Sequence, residues 1–153
     1  MNHPLLSDEE QAFGWTDAFL LGFAPMDDTH REFVELVQPM LDCPVEELPG
    51  HLEAFAEHAH RHFDQERDWM LGTEFPAAQC HIDEHQAVLK SVEEVLALLR
   101  EGRDPSIARS LAEELARWFP GHADYMDAPL SQWMVKRRHG GAPVVIKRNV
   151  SRA

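Results

Sequence analysis

Residues 62–85 read HFDQERDWMLGTEFPAAQCHIDEH and carry the strongest structural signal in the chain. Gly72 is typical of a helix end and Pro76 of a first helical turn, so the stretch predicts two helices joined by a short turn. Each helix contains a polar pair spaced four residues apart, HxxxE in the first and HxxxH in the second. Because residues four apart share one face of a helix, each pair projects from a single face.

Prolines and glycines divide the rest of the chain into further helical segments. The spacing of apolar residues predicts four amphipathic helices, at about residues 26–41, 49–71, 76–101 and 106–119, and no segment alternates with the period of a strand. We expect Pro120-Gly121 to break the fourth helix, and a short helix to follow over about 124–138. The predicted fold is all-α, an antiparallel up-down-up-down four-helix bundle with an N-terminal arm and a C-terminal short helix and tail.

The composition fits one soluble globular domain. The chain has 153 residues, of which 44% are hydrophobic and 27% charged, so it can bury a core. We expect a single domain over 1–139, with the arm at about 1–24, and a basic, flexible tail over 140–153. Its 27 acidic residues outnumber 14 basic ones, and this excess argues against nucleic acid as a partner.

Targeting signals are not evident. The start of the chain is acidic, unlike a signal peptide, and the longest apolar stretch, Ala18–Met26, is far shorter than the ~20 residues of a membrane helix. The two cysteines, Cys43 and Cys80, suit free thiols in a reducing compartment, and we expect Cys80 to be packed. These features predict a cytoplasmic protein.

The predicted core stripes contain polar residues where a bundle would normally have leucine. Burying such groups costs several kcal/mol unless something satisfies them, and a metal ion does so. Five imidazoles and two carboxylates are too many donors for one ion and suit two ions bridged by the carboxylates. Mixed nitrogen and oxygen donors without thiolate favour iron over manganese, zinc or copper. The seven candidates are His30, His62, Glu66, His81, His85, His122 and Asp127.

The order of these seven residues resembles the signature of the hemerythrin family, most closely that of the bacterial hemerythrins. The pattern runs H, HxxxE, HxxxH, HxxxxD, with fifteen residues from Glu66 to His81. The resemblance covers about Trp15 to Asp127. It extends to flanking residues, namely Trp15, Gly22, Asp27-Asp28-Thr29, Phe63, Met70, Phe75-Pro76 and Trp118-Phe119.

The resemblance implies reversible O₂ binding, for storage, delivery or sensing, at a non-haem centre of two iron ions with an oxo or hydroxo bridge. It implies that one iron is held by His81, His85 and His122. The other is held by His30 and His62 and keeps an open position for O₂. Glu66 and Asp127 would bridge the two ions. His122 and Asp127 are five residues apart, so a bend or bulge is needed to bring them together.

Other residues are candidates for the walls of the O₂ pocket. Four aromatic residues and one histidine fall in this class: Phe33, Phe55, Phe63, Trp118 and His58. His58 could donate a proton to bound O₂, so the alternative function is a di-iron enzyme with peroxidase-like or nitric-oxide-consuming activity. A third hypothesis is a sensor that signals through the basic tail, for which an acidic partner is conceivable. For His3, His51, His60 and His139 we expect positions at the surface or in the core with their hydrogen bonds satisfied, without a role in metal binding.

Overall fold

The computed structural model describes residues 13–138, and within them every regular element is helical. Four helices form the bundle and a fifth extends the last of them. They are α1 (Ala24–Met40), α2 (Leu48–Gly72), α3 (Ala78–Arg100), α4 (Ser106–His122) and α5 (Ala128–Arg138). Short 3₁₀ helices occur at Asp17–Phe19 and Val45–Glu47, and a π-helical turn spans Ala123–Asp127.

The predicted four-helix bundle is confirmed. Helix α1 packs against α2 and α4, and α3 packs against α2 and α4, so the four helices form a closed ring. The short connections between consecutive helices make neighbours in the chain antiparallel. Each predicted boundary of the four bundle helices lies within about three residues of the observed one, because proline and glycine mark most of the ends.

The carboxylate of Asp27 fixes the chain just before α1. Its two oxygens accept hydrogen bonds from the backbone N–H groups of Leu21, at 2.8 Å, and Gly22, at 3.1 Å. Gly22 has a φ of 100°, which favours glycine. These bonds turn the entering segment across the end of the bundle, where Phe23 becomes buried.

The predicted break of the fourth helix at Pro120-Gly121 is wrong. Helix α4 runs through both residues to His122 and continues without interruption into the π turn and α5. Proline removes one hydrogen bond from a helix, but the burial of Phe119 and Leu115 in the core keeps this segment helical. In the wider turn that follows, the N–H of Ala128 donates to the carbonyl of Ala123, five residues earlier.

Two apolar clusters fill the bundle, one on each side of a polar layer. The larger cluster extends from Phe33 towards the α1–α2 connection. The smaller one consists of Phe23, Met26, Met70, Phe75, Ile82 and Leu130. Helix α5 covers this end, where Trp133 Nε1 donates to Thr73 Oγ1 at 2.8 Å and Ser131 Oγ donates to the Leu21 carbonyl at 3.1 Å. The polar layer between the clusters is therefore closed off by apolar side chains.

Among residues 13–138, no helix combines the length and apolar character required to cross a membrane. The predicted basic tail over 140–153, with its conceivable acidic partner, lies outside the described residues, as do His3 and His139 and the first half of the predicted arm.

Candidate metal centre

The polar layer brings together all seven residues that the sequence singles out. Helix α1 contributes one of them, α2 and α3 contribute two each, and the last two come from the end of α4 and from the π turn. None of the seven is more than 5% exposed. They are His30, His62, Glu66, His81, His85, His122 and Asp127.

Glu66 lies at the middle of this layer and contacts histidines on both sides. Its Oε2 is 2.9 Å from His62 Nε2 and 3.5 Å from His30 Nε2. Its Oε1 is 3.4 Å from His81 Nε2 and 3.5 Å from His85 Nε2. One carboxylate thus presents one oxygen to each of two histidine groups.

Asp127 repeats this arrangement from the π turn. Its Oδ1 lies 2.9 Å from His81 Nε2 and 3.2 Å from His122 Nε2, whereas its Oδ2 lies 3.1 Å from His30 Nε2. The extra residue of the π turn lets His122 and Asp127, five positions apart, both face inward. The predicted need for a bulge at this point is therefore met.

The layer consists of two donor groups that share the two carboxylates. One contains three histidines, His81, His85 and His122, and the other contains His30 and His62. His85 Nε2 and His122 Nε2 are 3.0 Å apart. Adjacent ligands of a six-coordinate ion are also about 3.0 Å apart when the metal–nitrogen bonds measure about 2.1 Å. The spacing of the donors fits two metal ions side by side.

Several of these donor atoms have no hydrogen-bond partner although they are fully buried. They are His30 Nε2, His81 Nε2, Glu66 Oε1 and Asp127 Oδ1. Buried polar atoms without partners cost free energy, and here they converge on the same two points. A cation at each point would satisfy them, so the residues present fit a pair of metal ions.

The electrostatics of the layer favour cations. Contacts with histidines outweigh the effect of burial and hold the pKa of Glu66 and that of Asp127 well below their usual range. Burial opposes protonation of His30 and His81, but the nearby carboxylates of Asp127 and Glu66 raise the pKa of His30 to about 10 and that of His81 to about 9. Burial lowers the pKa of His85 to about 3. A histidine binds a metal ion through an unprotonated ring nitrogen, so bound metal ions would displace protons from these histidines.

Comparison with known proteins identifies the family. Residues 21–133 match the family model described as "Hemerythrin HHE cation binding domain". The chain belongs to the hemerythrin family. The matched range covers the four bundle helices and the π turn, so it contains every donor of the polar layer.

Two curated proteins support the assignment to the hemerythrins. The chain is 35% identical over 123 residues to "Bacteriohemerythrin" of Ralstonia nicotianae, a match covering 80% of this chain and 89% of that protein. It is 26% identical over 80 residues to a hemerythrin subunit of Sipunculus nudus, covering 52% of this chain and 65% of that protein. No solved structure matches the chain.

Aromatic side chains surround the candidate metal centre. Phe63 stacks on His85 with ring centroids 3.8 Å apart, and Trp118 stacks on His122 at 4.2 Å. Phe33 lies edge-on to His62 at 6.3 Å. Phe55 contacts Phe33, at 5.2 Å, and so lies one layer further out. These four residues were all predicted as pocket walls, and the structure places three of them directly beside candidate ligands.

Phe119, which the sequence analysis names only as a flanking residue of the family signature, also lies beside candidate ligands. Its ring stacks on Phe33 with centroids 4.8 Å apart and stands edge-on to His30 at 5.3 Å. Phe119 lies four residues after Leu115, so the apolar stripe of α4 could have identified it. Its ring is buried beside the two-histidine group.

Glu84 is a residue that the sequence analysis missed. Its Oε1 lies 2.5 Å from Nδ1 of His122, and its side chain is 39% exposed. Because a carboxylate accepts hydrogen bonds, Nδ1 carries the proton and the lone pair of Nε2 faces the centre. No periodic signal marks Glu84, since it lies on the flank of α3 and meets His122 only across the helix interface.

His58 is buried next to the two-histidine group. It is 1% exposed, its ring centroid lies 5.2 Å from that of His62, and its Nδ1 is 3.4 Å from the carboxylate of Glu32. Burial, together with the charges of His62 and Arg61, lowers the pKa of His58 to about 3. His58 is therefore a buried, uncharged neighbour of His62 at neutral pH.

The remaining histidines and the thiols lie away from the centre. His51 is half-buried at the start of α2, and His60 is exposed and hydrogen-bonded to Glu93 at 2.9 Å. Cys80 is exposed, contrary to the expectation that it is packed, because the neighbouring His81 and not Cys80 occupies the inward face of α3. Cys43 is half-buried in the α1–α2 connection.

Proposed function

We propose that this hemerythrin binds O₂ reversibly at a centre of two iron ions. His81, His85 and His122 would hold one ion, and His30 and His62 the other. Glu66 and Asp127 would bridge the ions together with an oxo or hydroxo group from solvent. The observation that carries the proposal is the position of the two carboxylates, each with one oxygen towards each histidine group.

The donor set supports iron. The layer offers five imidazole nitrogens and four carboxylate oxygens, with no thiolate. This donor set suits iron in both its ferrous and its ferric state. Two such ions supply the two electrons that O₂ accepts on binding and returns on release. The family match and the likeness to a protein named Bacteriohemerythrin support the same assignment.

The unequal histidine count gives O₂ a place to bind. The first group offers three imidazoles and one oxygen from each carboxylate, and with a solvent-derived bridge these would give an ion there six donors. The second group offers only two imidazoles and the other oxygen of each carboxylate, so an ion held there would have one protein donor fewer and room for O₂. Phe33 and Phe119 lie beside this second group, and their apolar rings would exclude water and so slow irreversible oxidation of the iron.

The environment of His58 helps to choose between an O₂-binding protein and a di-iron enzyme. An enzyme of the peroxidase-like or nitric-oxide-consuming kind would need a proton donor with a pKa near neutrality. Burial, with the neighbouring His62 and Arg61, holds the pKa of His58 well below neutrality, so His58 is uncharged at pH 7 and is not poised to donate a proton. This low pKa favours binding over catalysis.

Replacing His58 with phenylalanine tests this point. We expect His58→Phe to retain the iron content of the wild type, because His58 Nδ1 faces Glu32 and not the centre. The ratio of the lifetimes of the oxygenated state in the two proteins should be the same at about pH 6 and at about pH 8, since His58 stays uncharged throughout. Visible absorbance over time measures both lifetimes.

The control is His60→Phe, on the same helix but exposed. In the contrary outcome, the oxygenated state of the wild type becomes shorter-lived than that of His58→Phe as the pH falls. That result would identify His58 as a proton source and favour the enzyme.

The proposal itself is tested by metal analysis and visible spectra of the purified protein. We expect two iron ions per chain and a spectrum of the reduced protein that changes on exposure to O₂ and returns when O₂ is removed. Zinc alone, or no more than one iron per chain at full occupancy, would refute the two-iron centre. Irreversible bleaching with turnover of substrate would favour the enzyme.

A further inference from the structure

A second cluster of potential metal ligands lies at the opposite end of α2 from the polar layer. It consists of Cys43 in the α1–α2 connection, Glu47 at the end of the 3₁₀ helix and His51 in the first turn of α2. His51 precedes His62 by eleven residues on the same helix, which corresponds to about 16 Å along the axis. The cluster is therefore separate from the candidate iron centre.

We propose that Cys43, Glu47 and His51 form a site for one divalent cation of intermediate softness, for which Zn²⁺ is the best match. The sulfur, a carboxylate oxygen and an imidazole nitrogen all lie within 4.8 Å of one another. His51 Nε2 and Glu47 Oε1 are 3.8 Å apart. Two ligands of a tetrahedral zinc ion are about 3.4 Å apart, so small side-chain rotations complete the site.

The backbone that carries Cys43 is fixed from two sides. Its N–H donates to the carbonyl of Pro39 at 2.9 Å, and its carbonyl accepts a hydrogen bond from Arg109 Nη2 on α4 at 2.7 Å. Pro44 has a fixed φ and also restricts the backbone of Cys43, the residue before it. Because the connection is already ordered, binding a cation would cost little further conformational entropy.

The donor types select the cation. Thiolate excludes the hard ions Mg²⁺ and Ca²⁺ and is absent from the candidate iron centre, so the two sites would prefer different metals. Burial raises the pKa of the Cys43 thiol, which keeps its proton until a cation displaces it to water. The resulting thiolate and the Glu47 carboxylate then neutralise the two charges of Zn²⁺. Glu47 is 58% exposed and His51 35%, so water can supply a fourth ligand.

The test uses the iron-loaded full chain and Co²⁺ as a spectroscopic stand-in for Zn²⁺. We expect one Co²⁺ per chain to produce a thiolate-to-cobalt charge-transfer band in the near ultraviolet, and Zn²⁺ to abolish it. Cys43→Ser should lose the band, and His51→Ala, a change at a half-exposed position, should weaken Co²⁺ binding. Because only a sulfur ligand gives this band, cobalt that enters the iron centre does not interfere.

Cys80→Ser is the matched control, since Cys80 is the only other cysteine of the chain and is exposed. We expect this variant to keep the band. The iron content of each variant verifies that it folds. The proposal is overturned if Co²⁺ gives no thiolate band in the wild type, if the band persists in Cys43→Ser, or if it is lost in Cys80→Ser.

Discussion

Glu66→Ala is expected to bind fewer than two iron ions per chain and to lose the spectrum of the coupled iron pair. Glu66 contacts four histidines, two in each donor group, at 2.9–3.5 Å, so its removal takes a ligand from both ions. It also leaves the buried His30 and His81 without one of their two carboxylate partners. Loss of a buried charge partner costs about 3–5 kcal/mol of unfolding free energy. Metal analysis and thermal unfolding of the metal-free protein measure the two effects.

Glu93→Ala is the control for this substitution. Glu93 also pairs with a histidine, His60, at 2.9 Å, but both side chains are about half exposed, and the pair lies away from the polar layer. We expect this variant to retain two iron ions and wild-type stability within about 1 kcal/mol. Two iron ions and an unchanged spectrum in Glu66→Ala would contradict the bridging role of Glu66.

Glu84→Gln is expected to weaken metal binding at the three-histidine group by about 10–100-fold. The change keeps the shape of the side chain but removes the negative charge that hydrogen-bonds to Nδ1 of His122. Without that charge the imidazole of His122 is a weaker metal ligand, and its preference for the tautomer with an unprotonated Nε2 is reduced. Competition with a chelator of known affinity measures the change.

Glu93→Gln is the matched control, because it makes the same change in the other histidine–glutamate pair of α3. We expect its metal affinity to equal that of the wild type. An affinity of Glu84→Gln within about twofold of the wild-type value would show that Glu84 does not orient His122. Glu84→Asp, which keeps the charge, should recover part of the affinity.

The sequence predicted most of the fold because its signals are local. Prolines at the starts of helices and glycines near their ends mark boundaries that depend on few distant contacts. The Pro120 prediction failed because the intrinsic cost of proline competes with burial of Phe119 and Leu115, and packing of this kind cannot be evaluated from local sequence.

The candidate site was accessible from the sequence for a different reason. Each pair of donors four residues apart already faces one way, so the bundle has only to bring four stripes together. Glu84 was missed because its contact with His122 depends on how α3 packs against α4. The burial of His58 was also unpredictable, since its position one turn before His62 fits both a wall and an exposed edge.

The candidate ligands are polar, but the side chains around them are apolar. The layer of donors lies between two apolar clusters, so a metal ion there is shielded from water on both sides. Such shielding strengthens the attraction between the ions and the two carboxylates, and it limits access to small, uncharged molecules. O₂ is one of these, whereas a large charged substrate is not.

The most direct test of this account is anaerobic O₂ titration of the reduced, iron-loaded protein, followed by removal of O₂. The account predicts uptake of one O₂ for every two iron ions, with complete return of the starting spectrum when O₂ is withdrawn. Uptake without release, a ratio of one O₂ per single iron, or no uptake at all would contradict reversible binding at a shared two-iron centre.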